Sequence, residues 1–278
     1  MSNFTFNKLV RMILPARLSH ALANLVRSRR RRKFRSKIVE HTYCGQRFRV
    51  CIDDAMAEAW YDRDWDDGFQ EITELSNRRL TKGCRIFDIG AHQGVVALIM
   101  SQIVGSEGDV VAVEGDPWNA SRAVKNFKLN SATNIRSVNA IIGSNTDSPL
   151  GKLNPANLMS QWSLDNVPMR SIDSLVREFG NPDVIYVDVD GFELQVLSGS
   201  QSAHILDIDW FVEVHVGCGL EVQGGSWQDV LSYFPEDRYE RFIASEEQKI
   251  FATFAATSPL LADRFFLLAL HRSNALCK

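Results

Sequence analysis

The chain has 278 residues, 45% of them hydrophobic and 23% charged, and a formal net charge of −3. That balance belongs to a globular protein with a full core, large enough for one domain plus an N-terminal extension, and it excludes a disordered chain or one held on nucleic acid by bulk charge. Cys44, Cys51, Cys84, Cys218 and Cys277 form no C-x-x-C pair, so neither a zinc ribbon nor a disulfide framework is expected, and a reducing cytoplasm is the default location.

Residues 1–40 read as a basic helical arm. Phe6, Leu9, Val10, Ile13, Leu14, Leu18, Leu22 and Leu25 recur at helical spacing, and Pro15 divides them into two short helices or one kinked one. A basic run follows, densest at Arg29, Arg30, Arg31, Arg32 and Lys33. It suits peripheral contact with anionic lipid, or it is a solvated cluster on an arm packed against the domain. Pro15, Arg11 and Arg17 break the apolar face and favour the second reading. No apolar run reaches the roughly 18–20 residues a membrane span needs, and an apolar stretch before the charges reverses the order of a secretory signal.

Residues 41–82 read as a capping segment: a short hairpin over residues 47–52, a turn-rich stretch, then a helix over about residues 68–80. In Trp60-Tyr61-Asp62-Arg63-Asp64-Trp65-Asp66-Asp67, aromatic rings stand among carboxylates. Trp60 and Tyr61 are candidates to stack on a sugar or another polar ring, using an apolar face with a polar tip. The alternative is a surface loop whose aromatic rings tuck under the domain.

Residues 83–278 alternate strand and helix, which predicts a mainly parallel sheet covered on both faces. Strands are expected at 85–89, 109–114, 135–140, 184–190 and 210–215, with later ones near 239–244 and 264–271. Helices are expected at 94–104, 117–130 and 172–179, from 192, and at 227–234. A long connection over residues 143–169 holds Trp162, a candidate aromatic contact for a substrate. Residues 217–225 contain four glycines and suit a loop that closes over a bound molecule.

The sharpest local signal is Asp88-Ile89-Gly90-Ala91-His92-Gln93-Gly94, a strand that ends in a glycine-rich turn opening a helix. Ligands of open α/β sheets bind at the carboxyl ends of strands. The dinucleotide fingerprint G-x-G-x-x-G, which seats a pyrophosphate, is missing. The turn suits a cofactor without phosphates, such as S-adenosylmethionine, whose cationic groups Asp88 would offset. Glu114 ends the next strand about twenty residues past Gly94, where an acid accepts ribose hydroxyls. Gly90, His92, Gly94, Asn139 and Asp188 complete the candidate cofactor contacts.

Asp188 and Asp190 are two residues apart near one strand end, and Glu213 and His215 share that spacing near the next. Side chains two apart on a strand share a face, so neighbouring strands would gather all four into one cluster of interacting ionisable groups. His215 is the first candidate for the base that takes a proton from an acceptor hydroxyl and Asp188 the second; Asp190 and Glu213 would orient the base or the acceptor. On the structural alternative Asp190 caps the helix starting at Phe192, and His215 is a hydrogen-bonded core residue. Three carboxylates also suit Mg2+, although no metal ligand is assigned from sequence.

Taken together, the segments Asp88–Gly94, Val113-Glu114-Gly115-Asp116-Pro117, Asn126-Phe127-Lys128-Leu129-Asn130, Ser171-Ile172-Asp173-Ser174-Leu175, Tyr186-Val187-Asp188-Val189-Asp190-Gly191-Phe192-Glu193, Val196-Leu197-Ser198-Gly199-Ser200 and Val212-Glu213-Val214-His215 resemble the FkbM family of class I methyltransferases. His92, Gly115 and Asp190 stand where that family usually has Asn, Pro and Glu. The resemblance implies a Rossmann-like α/β fold with a seven-stranded, mostly parallel sheet and a reversed last strand. It also implies S-adenosylmethionine as cofactor and O-methylation of a sugar, polysaccharide unit or natural product. Two alternatives are an NAD-dependent oxidoreductase on a similar sheet and a non-catalytic cofactor-binding scaffold. The missing G-x-G-x-x-G counts against the first. The set Asp88, Glu114, Asp188 and His215 counts against the second.

Overall fold

Side chains in the central strands alternate between two apolar layers, as the period of a strand requires. Ile86, Val110, Ala112, Val184, Tyr186 and Phe211 enter one core, and Phe87, Val111, Ile185, Val187, Trp210 and Val212 the other. Strands that are apolar on both faces belong in a sheet sandwiched between helices. The computed structural model has this architecture, described for residues 29, 31, 33–65, 69–144, 167–245, 250–254 and 263–274.

The chain begins its described part with a hairpin of β1 (Lys37–Tyr43) and β2 (Gln46–Ile52). Cys44 and Gly45 join the strands with φ of 49° and 73°, the left-handed pair typical of a two-residue hairpin. Two helices follow, α1 (Ala55–Tyr61) and α2 (Gln70–Arg78). Then come β3 (Arg85–Ile89), α3 (Val95–Val104), β4 (Asp109–Glu114), α4 (Pro117–Leu129) and β5 (Ile135–Asn139). Short strands β6 (Ile141–Ile142) and β7 (Met169–Arg170) lead to α5 (Ile172–Phe179) and β8 (Val184–Val187). The remainder is α6 (Glu193–Ser198), β9 (Asp209–Val214), α7 (Trp227–Ser232), β10 (Tyr239–Ser245), β11 (Ala252–Thr253) and β12 (Phe265–His271).

The main sheet runs β11-β10-β12-β9-β8-β3-β4-β5. The five strands from β9 to β5 are parallel, and β12 lies antiparallel between β9 and β10. The reversed last strand is therefore present, inserted between β9 and β10. The strand order reverses between β3 and β8, and their carboxyl ends form the crevice that such sheets use for ligands.

Several expectations need correction. Among the described residues the sheet has eight strands rather than seven, because the two-residue β11 pairs with β10; so short a strand carries no periodic signal. The strand expected over residues 184–190 stops at Val187, so Asp188 and Asp190 stand in the turn beyond it. The next helix begins at Glu193 with Phe192 as its N-cap and no side-chain capping bond, which removes the capping role considered for Asp190. The hairpin is longer than residues 47–52, and the stretch read as turns contains α1. That helix is fixed by Asp54, whose side chain accepts from the amides of Met56 and Ala57. Asp54→Ala should cost about 1 kcal/mol, measurable as a lower urea midpoint.

The hairpin, α1 and α2 share the core that covers one face of the main sheet. Asn126 of α4 and its C-cap Asn130 fasten the hairpin there: Asn126 accepts from the Cys51 amide and donates to the Gln93 carbonyl, and Asn130 exchanges two bonds with the Arg49 backbone. Asp62 and Asp64 are structural rather than free for a ligand. Asp62 accepts from Lys37 at 2.5 Å and faces His41 at 3.0 Å, and Asp64 faces the other ring nitrogen of His41 at 3.2 Å. Among the described residues no helix is long and apolar enough to cross a membrane.

Candidate cofactor and acceptor site

The glycine turn after β3 owes its sequence to close packing. Gly90 has φ +94°, and a Cβ placed there would lie 1.7 Å from the Asp188 carbonyl oxygen. Gly94 has φ +81°, and its Cβ would stand 2.5 Å from the Phe127 ring. No side chain fits at either position, so the backbone of the turn stays bare toward the crevice. The Glu114 carboxylate at the end of β4 accepts the His92 amide at 2.8 Å and the Asp116 amide at 2.7 Å. Both oxygens are thereby fixed in direction, and burial pushes the carboxyl up to about 7 despite these two bonds.

A cavity of about 350 Å3 opens here, lined by Gly90, His92, Glu114, Ile141, Asp188 and Asp190 among others. Met56 and Trp60 of α1 line it from the opposite side. Asp88 lies below, 1% exposed, with Oδ2 buried and lacking a hydrogen bond. Burial first, then the charges of Asp188 and Glu114, push it up to about 8.

These features fit S-adenosylmethionine. A Cβ-free cradle, a fixed carboxylate at the end of the second strand, an apolar wall of Val113, Ala140, Ile141 and Ile142 and an orphaned buried carboxyl oxygen match a ligand with a ribose, an apolar base and cationic groups. Three of the cofactor candidates, Asp88, Gly94 and Asn139, do not line the cavity, and Asn139 is engaged elsewhere. Its amide donates to the Glu114 and Gly115 carbonyls at 2.7 and 3.2 Å. His92, at φ +48°, is turned toward the cap: its Nδ1 is 2.7 Å from the Tyr61 hydroxyl and its ring centre 5.0 Å from that of Trp60. Burial lowers it to about 4, so the ring is neutral and shares a hydrogen bond with the Tyr61 hydroxyl. Tyr61 is only 7% exposed and supports His92 from behind, whereas Trp60 is 46% exposed at the cavity mouth.

Beyond β8 the chain makes a tight turn, with Asp190 at φ +48° and Gly191 at +96°. Gly191 packs so closely on Gly219 that a Cβ would come within 2.6 Å of its carbonyl carbon, which seats the glycine-rich loop 217–225 on this turn. The turn brings Asp188 and Asp190 to His215, whose Nε2 lies 3.5 Å from Asp190 Oδ1, 3.7 Å from Glu213 Oε1 and 3.8 Å from Asp188 Oδ1. All four candidate residues meet, though through turn geometry rather than strand spacing. His215 is 2% exposed and does not line the cavity; Asp188 and Asp190 do.

Sequence reasoning missed Glu193. It is fully buried, and its Oε1 accepts the Gly191 amide at 3.0 Å and meets His215 Nδ1 at 2.6 Å. Its signal lay in the spacing of Asp188, Asp190 and Glu193, where the last acid opens a helix and turns back on the loop. Burial opposes charge on His215, but the Glu193 bond and the charges of Glu193, Asp188 and Glu213 outweigh it and raise the ring to about 9. Burial raises Glu213, against the opposing charges of His215 and Arg264, and burial together with Glu213 raises Asp188 well above the carboxylate range.

A second missed residue is Arg31. Its guanidinium meets Asp116, which lines the cavity, at 3.1 Å and lies 4.7 Å from the centre of the Trp118 ring. Trp162, Arg30 and Arg32 lie outside the described residues.

The sequence model of the methyltransferase FkbM domain matches residues 88–241. An FkbM methyltransferase from Methylobacillus flagellatus is similar in structure, with 17% identity over 68% of this chain and a TM-score of 0.47; the match spans only 44% of that protein. Fibrillarin from Aeropyrum pernix, with natively bound S-adenosylmethionine, is 12% identical over 85% of this chain and 83% of its own, with a TM-score of 0.46. A SAM-dependent O-methyltransferase from Thermotoga maritima is 13% identical over 85% of this chain and 78% of its own, with a TM-score of 0.42. No curated protein matches the sequence. With the domain match covering more than half of its length, the chain belongs to the FkbM family of S-adenosylmethionine-dependent methyltransferases.

Proposed function

We propose that the protein methylates a hydroxyl oxygen of a small polar acceptor such as a sugar unit. The observation that carries this reading is the position of Asp188 and Asp190. They line the same cavity as Gly90 and Glu114 and also face His215 Nε2 at 3.8 and 3.5 Å. One cavity thus joins a cofactor end to a cluster that can receive a proton.

Glu114 would hold the ribose hydroxyls, Gly90 would admit the cofactor against bare backbone, and Ile141 and Ile142 would cover its base. When bound, S-adenosylmethionine supplies a methyl group on a sulfonium, already a good leaving group. The protein's own task is to position the acceptor oxygen and take its proton. Asp188 and Asp190 receive the hydroxyl at the cavity edge, and the carboxylate–histidine cluster behind them takes up the proton. Glu193 fixes the His215 ring and so acts as a positioning residue.

The segment 41–82 forms the cap on this site, with Trp60 and Met56 as the faces offered to the acceptor and Tyr61 behind His92. Trp60→Ala should raise the acceptor KM about five- to tenfold, the worth of one aromatic contact, and leave S-adenosylhomocysteine affinity and melting temperature nearly unchanged. Within the basic run, the Arg31–Asp116 pair supports contact of Arg31 with the domain over contact with a membrane.

The cofactor assignment is tested by calorimetric titration of S-adenosylhomocysteine into wild type and Glu114→Gln. Loss of a charged hydrogen-bond acceptor, worth about 1.5–3 kcal/mol, should weaken binding about 10- to 100-fold. Equal affinity for both proteins would remove Glu114 from the site.

A further inference from the structure

We propose that His215, Asp188 and Glu213 form a binding site for a divalent cation of the Mg2+/Mn2+ class. One donor atom from each lies within 4.8 Å of the others. The separations from Nε2, 3.7 Å to Glu213 Oε1 and 3.8 Å to Asp188 Oδ1, are too long for hydrogen bonds. They fall between the edge and the diagonal of an octahedron with bonds of about 2.1 Å, roughly 3.0 and 4.2 Å. A cation among the three atoms satisfies them all.

The histidine points to the same ligand independently. His215 is 2% exposed, and its Nδ1 bonds to the buried Glu193 at 2.6 Å. A carboxylate on one ring nitrogen fixes the tautomer that leaves a lone pair on the other, the usual support of a metal-binding histidine. Here the other ring nitrogen, Nε2, is aimed into the carboxylates, where a bound cation would take the place of its proton. The charges agree, since four acids surround this ring, and Arg264 meets one of them, Glu213, at 3.1 Å. One imidazole and two carboxylates without a thiolate suit a hard to intermediate cation.

The site deepens the methyl-transfer reading and rests on it for its chemical role. Asp188 lines the cavity, so an open coordination position on that side would take the acceptor hydroxyl. Coordination lowers the pKa of a bound hydroxyl. Its proton passes to Asp190, and the oxygen bonds to the methyl carbon as the carbon–sulfur bond breaks. The bonding pair stays on sulfur, and S-adenosylhomocysteine leaves.

The test is Mn2+ binding to the full chelator-treated chain, followed by electron paramagnetic resonance without cofactor or acceptor. One site with Kd of about 0.1 mM or tighter, displaced by Mg2+, is expected. Asp188→Asn and Glu213→Gln should each weaken it at least tenfold, and Glu193→Gln, which touches no cation, about 10- to 100-fold. Melting curves confirm folding, and Asp188→Asn, half-exposed and isosteric, keeps the test open if a buried variant unfolds. Mn2+ binding equally weak in wild type and the variants, or unchanged by them, would overturn the site. A parallel S-adenosylhomocysteine titration separates the two readings. Binding of S-adenosylhomocysteine without Mn2+ removes only the cation, whereas Mn2+ binding without it keeps the cation site and removes methyl transfer.

Discussion

Gly90→Ala should lower stability by about 4 kcal/mol and abolish S-adenosylhomocysteine binding. Two costs combine. At φ +94° an L side chain is strained, by roughly 1–2 kcal/mol. The added Cβ would also stand 1.7 Å from the Asp188 carbonyl oxygen, a backbone atom that cannot swing aside as a side chain can. Overpacking of this kind typically adds about 1–3 kcal/mol. The atoms forced apart, the β3 turn and the start of the Asp188–Gly191 turn, are the two sides of the site, so binding fails with stability. Gly83→Ala is the control, since it has φ +89° but nothing within 4 Å of its Cβ, and it should cost only the backbone part. Denaturant midpoints decide the matter. Equal losses in the two variants would mean that the β3 and β8 turns do not meet so closely.

Asp188→Asn should reduce kcat about 10^2- to 10^4-fold, the range for losing a group that handles a proton in the transition state. S-adenosylhomocysteine affinity should change less than about threefold, because the contacts assigned to Glu114 and Gly90 remain. The substitution conserves shape at a side chain that is 40% exposed, so the melting temperature should hold. A variant with near-normal kcat would place proton removal elsewhere, whereas lost cofactor affinity would make Asp188 a cofactor contact instead.

The limits of two central strands were legible because each is an apolar run bounded by glycine or polar residues; Arg85–Ile89 and Asp109–Glu114 begin and end where the pattern does. What was hidden depends on left-handed backbone. Asp188 and Asp190 looked like alternate residues of a strand, yet they converge on His215 because Asp190 and Gly191 both take positive φ. Glu193 was hidden for a related reason: an acid at the start of a helix reads as a favourable first-turn charge, and only the fold reveals His215 beside it. Asn139 shows the opposite limit. Its place at the end of β5 matches a cofactor contact in one dimension, but its amide is spent on the carbonyls of Glu114 and Gly115. Among the aromatic residues before α2, sequence could not separate Trp60 at the cavity mouth from Tyr61 beneath it, because that division follows from the orientation of α1.

The central claim, that the crevice between β3 and β8 binds S-adenosylmethionine, is tested most directly by calorimetric titration of S-adenosylhomocysteine and of NADH into the wild-type chain. Micromolar binding of S-adenosylhomocysteine, with no heat from NADH, is the result expected of a bare glycine turn without the pyrophosphate fingerprint. NADH binding to a folded protein that ignores S-adenosylhomocysteine would contradict the account.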